Sequence, residues 1–299
     1  MIARIVRIGS AAPTVVLERT DWERRDGEHA AAVDALTAGH RARASTGQRH
    51  PVEDFLHTYY SLRPAQLRRW HPGLGVGLLD AGERAEWRFH RTEAEVTTVD
   101  AAAMVQVHGD QISFVAELLR ASGDRPAQFG CFGLHEWAMV YRADPDEIRH
   151  GGVPLRLGSA GTDAVVESHP VKCSHYDAFR FFTPAARGRN LVQLSLSERV
   201  ATEQPGCLHV GMDLYKWAYK LLPAVSGELL LDCYRLARRI REVDMRASPY
   251  DLSALDLAPI AIETPEGKAE YVARQRQFAV ESAPLRDRVR AVAEQLLAG

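Results

Sequence analysis

The chain has 299 residues, 46% hydrophobic and 25% charged, with a formal net charge of −2. That length and apolar content suit one large domain or two modest ones, and the near-neutral charge excludes a global electrostatic pull towards nucleic acid or an anionic membrane. Four scattered cysteines, Cys131, Cys173, Cys207 and Cys233, include no C-x-x-C pair, which excludes a disulfide framework and points to a reducing compartment. With no signal-like amino terminus and no apolar run of membrane-span length, the expected location is cytoplasmic, with no membrane partner.

Residues 1–20 read as an N-terminal extension, and residues 21–299 as a single mainly helical domain with small β-hairpins, an α+β multi-helix globular arrangement. The segment "DWERRDGEHAAAVDALTAGHRARAST" has Trp22, Ala32, Val33 and Leu36 near helical spacing and Asp21 as its cap. Two short helices are expected in "HPVEDFLHTYYSLRPAQLRRWHPGLG", the first opened by Pro51 and both stopped by Pro64 and the turn at His71 to Gly75. From residue 75 to 99 the period changes, with Val76 and Leu78, then Trp87 and Phe89, then Val96 and Val99, which predicts a β-meander.

Helices are expected in "DQISFVAELLRASG" and "FGCFGLHEWAMVYRAD", the latter ending at the turn "ADPDE", followed by a second hairpin near 153–168. From Met212 the pattern is helical almost to the end, with Thr264-Pro265-Glu266 as a cap, a first-turn proline and an acid that suits the helix dipole.

Three strings set histidine beside a carboxylate in apolar surroundings: His135 and Glu136, His175 and Asp177, His209 and Asp213. Each pair alone is explained by a core histidine satisfied by its neighbour, because buried polar groups are paired. Brought together, imidazoles and carboxylates shift one another's protonation and suit proton transfer or metal binding. The second and third strings, each joining Cys-x-His to a carboxylate, are expected to share one pocket. Arg246, beside the end of a long helix, is expected to complete it, since its fork of donors binds carboxylate or phosphate bidentately.

His175, Asp177 and His209 also have the residue types of a two-His, one-carboxylate iron site, and Cys173/His175 with Cys207/His209 those of zinc ligands. Neither has a recognised spacing, so no metal ligand and no cofactor is assigned. There is no G-x-S-x-G and no P-loop, and "GLGVG" lacks the strand and helix that a dinucleotide fingerprint needs. Of two basic strings, "RPAQLRRWHP" and "RLARRIREVDMR", the first is the better nucleic-acid candidate, through Arg68, Arg69, Trp70 and His71.

The strings "HPVEDFLHTYYSLRPAQLRRWHPG", "CSHYDAFRFFTP", "EQPGCLHVGMDLYKWAYKLLP" and "DMRASPYDL" resemble those of a bacterial, actinobacterial-type family labelled 3-methyladenine DNA glycosylase, over about residues 30–290. The resemblance implies an N-glycosylase that removes alkylated purines in base-excision repair, with damaged DNA as partner; it carries no site residues onto this chain. Such chemistry flips out a nucleotide, stacks the cationic base on aromatic rings and sets a carboxylate to orient water or stabilise the oxocarbenium-like centre. Asp177 is the residue suited to that carboxylate, with His175, His209 and Asp213 as further acid–base candidates. Tyr176, Phe179, Phe181, Phe182, Tyr215, Arg246, His135 and Glu136 are the candidates for binding substrate. A helical iron or manganese oxidoreductase built on the His/carboxylate strings is the alternative, and a non-catalytic small-molecule binder a second one.

Overall fold

A computed structural model describes residues 5–6, 14–144, 148 and 152–299. The fold is mainly α with a small sheet, as the periodicities predict. The expected turn at Pro145 to Glu147, and residues 1–4 and 7–13 of the expected extension, lie outside the described residues.

The sheet contains β1 (Ile5–Val6), β2 (Thr14–Leu17), β3 (Val76–Leu79), β4 (His90–Glu93) and β5 (Val96–Val99), in the order β1-β2-β3-β5-β4. β2 runs parallel to β3, so residues 14–17 belong to the domain and do not form an extension. β4 and β5 make a hairpin, and β5 then returns to β3. This is not the sequential meander expected. Trp87 and Phe89 alternate like strand residues but lie outside any strand; Phe89 has a positive φ of 61°, and Trp87 packs under the guanidinium of Arg84 at 4.6 Å.

Helix α1 (Arg19–Thr46) begins two residues before Asp21, which sits in its first turn and does not cap it. The two short helices are α2 (Phe55–Tyr59) and α3 (Pro64–Leu67). α4 (Ala101–Asp124) starts nine residues before its expected string, capped by Asp100 and bent at His108. α5 (Leu134–Ala138) is a little over one turn, entered through Gly133 at a φ of 71°.

The expected hairpin at 153–168 is instead a bridge from Leu155 to Tyr250 followed by α6 (Gly158–Ser168). Alternation in "VPLRL" reflects that single bridge, whereas Thr162, Val165 and Val166 bury at helical spacing. Short helices α7 (Tyr176–Phe179), α8 (Pro184–Arg187) and α9 (Arg199–Thr202) follow.

The centre is built from α10 (Leu208–Lys220), α11 (Gly227–Arg246) and α12 (Pro265–Ala298), with α4 laid along α12. Ser226 and Thr264 cap the last two by accepting from the amides of Leu229 and Gly267. α10 is buried continuously from Leu208 to Ala218. A helix sealed on all sides has no solvent face, so its polar residues must find partners inside.

Gly211 makes the close packing possible: a Cβ there would lie 2.8 Å from Ser282 Oγ on α12 and 3.0 Å from Ile240 Cδ1 on α11. The approach of the three helices at Gly211 fixes His209 and Asp213, each two residues away along α10. Among the described residues, no helix is long and apolar enough to cross a membrane.

Candidate functional site

The three histidines converge. The rings of His175 and His209 stack with centroids 5.1 Å apart, and His135 meets His209 edge-on at 4.5 Å. α5 supplies His135 and Glu136, the residue before α7 supplies His175, and α10 supplies His209, which joins the two.

The pairing is not the local one that the sequence suggests. His135 Nε2 lies 3.0 Å from Asp244 Oδ1 on α11, and His175 Nε2 lies 3.2 Å from Asp213 Oδ2 on α10. Glu136, the sequence neighbour of His135, instead accepts from Arg241 Nη1 at 2.9 Å, and the same nitrogen donates to Asp244 Oδ2 at 2.9 Å. His209 Nε2 stands 3.9 Å from Asp244 Oδ2, beyond hydrogen-bond length.

Two groups of side chains result. In the first, one ligand-type atom from each of His135, Glu136, His209 and Asp244 lies within 4.8 Å of every other, and all four residues are buried. In the second, His175, Asp177 and Asp213 meet the same limit, but cations already occupy the space between the carboxylates. Lys216 Nζ donates to Asp213 and, at 3.0 Å, to Asp177; Arg199 lies 3.4 Å from Asp177 and donates to Glu203 at 3.0 Å. Tyr60 Oη donates to Asp213 at 2.7 Å.

Electrostatics follow from this packing. Burial opposes the ionised form of Asp244, but His135 and Arg241 outweigh it and hold the carboxyl far below its usual range. Asp213 is held down in the same way by Lys216 and His175. For His209, burial and the neighbouring His135 act in one direction and push the imidazole well below its ordinary value, so it is neutral near pH 7.

A cleft of about 320 Å³, including its open mouth, reaches the first group. Phe55, Tyr59 and Phe181 wall it, Glu136, His209 and Arg241 line it deeper, and the half-buried Asp177 also borders it.

Comparison with protein families, curated proteins and solved structures finds no match for this chain. The side chains themselves therefore carry the functional argument.

Of the residues singled out in the sequence, His135, Glu136, His175, Asp177, His209 and Asp213 do come together. Phe181 is in the cleft wall, but Phe179 and Phe182 pack on each other in the core at 5.1 Å, and half-buried Tyr176 packs against that core. Tyr215 is fully buried among Tyr60, Tyr219 and Tyr234 and does not line the cleft. Arg246 turns away: its Nε donates to the carbonyl of Ala258 at 2.8 Å, and Glu242 and Glu270 are its ion-pair partners. Arg241, five residues earlier on the inner face of α11, has the place expected for Arg246.

The nucleic-acid stretch is not a stacking surface. Trp70 is fully buried and donates to Glu228 Oε1 at 2.9 Å, because the chain turns inward after α3. Arg68 is exposed and paired with Asp34, Arg69 lies over Trp87, and burial pushes half-buried His71 down to about 3. Sequence reasoning missed Arg241, Asp244, Arg199, Glu203, Lys216, Phe55 and Tyr59 as site residues. Arg241 and Asp244, three apart among the apolar positions of α11, carried the one usable signal: two charges on a face that should be buried.

Proposed function

We propose that this chain is a metal-dependent enzyme, an oxidoreductase that uses iron or manganese held by His135, His209, Asp244 and Glu136. The observation that carries this reading is the approach of those four donor atoms to within 4.8 Å of one another, from three separate helices, in a buried setting. Charge supports it too. Across the two groups five carboxylates, Glu136, Asp177, Glu203, Asp213 and Asp244, face three buried cations, Arg199, Lys216 and Arg241, with Arg180 at the exposed rim. Part of the balance is a proton: burial opposes it, but Asp244 raises His135 well above its ordinary value, so this imidazole carries a positive charge that a bound cation would displace.

Neutral imidazole with carboxylate is the donor set of iron, manganese and zinc sites, and a set without thiolate does not single out zinc. The ion would supply redox or Lewis-acid chemistry at the cleft floor. The chain's own part is to hold the ligands. Arg241 fixes one oxygen of Glu136 and one of Asp244, and the ring of His175 backs that of His209. Phe55, Tyr59 and Phe181 give the cleft an apolar wall.

Elemental analysis of protein purified without added metal, then after anaerobic loading with iron(II) or manganese(II), tests this. About one tightly held equivalent is expected for a site of this ligand count. Less than a tenth of an equivalent under both conditions overturns the metal reading, and exclusive zinc binding overturns the oxidoreductase assignment.

A second reading is a DNA N-glycosylase for alkylated purines, as the resemblance implies. The aromatic wall of the cleft beside Asp177 favours it, because that carboxyl, opposed by burial but paired with Lys216 and Arg199, is held ionised below its usual range. Release of free 3-methyladenine from methylated DNA, abolished in Asp177→Asn, is the expected result. Release no greater than from heat-killed protein removes this reading.

A further inference from the structure

We infer that the cleft recognises a small carboxylate substrate, captured by the unpaired edge of Arg241; this rests on the reading of the cleft as the active site. Arg241 is 1% exposed, and only its Nη1 is bonded, to Glu136 and Asp244. Nε and Nη2, the two nitrogens of one guanidinium edge, have no hydrogen-bond partner among the described residues. Buried donors of a charged group are costly to leave unmade, and both belong to a side chain that lines the cleft.

The chemistry of the edge narrows the ligand. Nε and Nη2 present two parallel N–H groups, the arrangement that grips both oxygens of one carboxylate. The same fork also fits phosphate, but Glu136 and Asp177 border the cleft and Asp244 is ion-paired to the same guanidinium, and these carboxylates penalise a dianion more than a monoanion.

Phe55 lies over the guanidinium with its ring centroid 3.8 Å from Cζ, and Phe181 and Tyr59 continue that wall. The body of the ligand is therefore apolar or planar, with the carboxylate leading towards Arg241 and the trailing end towards Asp177. A ligand seated this way lies beside Glu136 and His209.

Calorimetric titration of the purified protein, as isolated and after chelation, with benzoate and with its neutral analogue benzamide tests the inference. Benzoate is expected to bind at least about tenfold more tightly than benzamide in both preparations, and Arg241→Lys, which keeps the charge but loses the fork, to erase the difference. Equal affinities for the two compounds, or a benzoate preference that survives in a folded Arg241→Lys, overturns it. Should that variant not fold, a crystal of the wild-type protein grown with benzoate decides: a carboxylate on Nε and Nη2 of Arg241 supports the inference, and one bound anywhere else overturns it. The two proposals fail separately. Metal bound without benzoate preference removes this inference alone, and benzoate preference without metal removes the metal reading alone.

Discussion

The group around His175 and the group around His135 touch through the ring of His209, yet their buried charge is balanced in different ways. Around His175, Asp177, Asp213 and Glu203 are met by Lys216 and Arg199, with Arg180 added at the rim, so every carboxylate has a nearby permanent cation. Around His135, Glu136 and Asp244 share one nitrogen of a single guanidinium, and the remaining neighbours are imidazoles. A lysine or arginine brings a fixed charge, whereas an imidazole can give up its proton to a metal. Similar residue types thus make a closed ion-pair network on one side of His209 and an adaptable ligand set on the other.

The largest effects should come from removing the central carboxylate of each group. Asp213→Ala leaves Lys216 buried without its closest partner, and Asp244→Ala does the same to Arg241 and His135; each should cost about 3–5 kcal/mol in denaturant unfolding. Only Asp244→Ala should also abolish metal uptake. Uptake lost equally in both would merge the two groups into one site and break the comparison.

His209→Gln should separate the two effects more sharply. Because Nε2 makes no hydrogen bond to Asp244, metal-free stability should change by no more than about 1 kcal/mol. Bound metal should still fall below a tenth of an equivalent. Retained metal would take His209 out of the ligand set and leave it as a spacer between the groups.

Acid should act first on the lowered imidazoles, which include His209 between the two groups. Asp213 and Asp244 are held below the usual carboxylate range, whereas burial lowers His57 to about 4 and His71 to about 3. For a histidine lowered in the folded state, the unfolded chain takes up the proton first, from its ordinary value of 6.5 downwards. Stability is therefore full above pH ~6.5 and falls as the pH drops towards ~4 and then ~3. Asp54, lowered to about 2 where its bond from Arg43 outweighs burial, adds its own loss below about 3.8. Unfolding free energies measured from pH 7.5 to 4.5 should slope accordingly, and a flat profile would mean that these imidazoles are charged in the fold.

The smallest effect belongs to the exposed basic stretch. Arg68→Ala removes a solvent-exposed pair with Asp34 and should shift stability by about 0.5 kcal/mol or less, with metal content unchanged. A larger loss would mean that α3 is held from outside as well as by Leu67 and Trp70 within.

What the sequence determined by itself is the part governed by local periodicity and capping. The helices α1, α10, α11 and α12, the cap at Thr264, and the strands at 76–79 and 96–99 follow from apolar spacing and from a side chain that satisfies the first amides of a helix. The density of histidine beside carboxylate in three apolar strings was legible too, because so much polarity in apolar surroundings demands partners. Which partners these are was not legible. His135 bonds to a residue 109 positions away and His175 to one 38 away, while the carboxylates next to them in sequence turn to Arg241 and Lys216. Alternation at 153–168 could not distinguish a hairpin from a single bridge, and a string of arginines around Trp70 could not say that the indole faces inward. Side-chain spacing along a chain fixes which face a residue occupies, but only the packing of α5, α10 and α11 decides which faces meet. At Gly211 the absence of one Cβ sets how closely they do so.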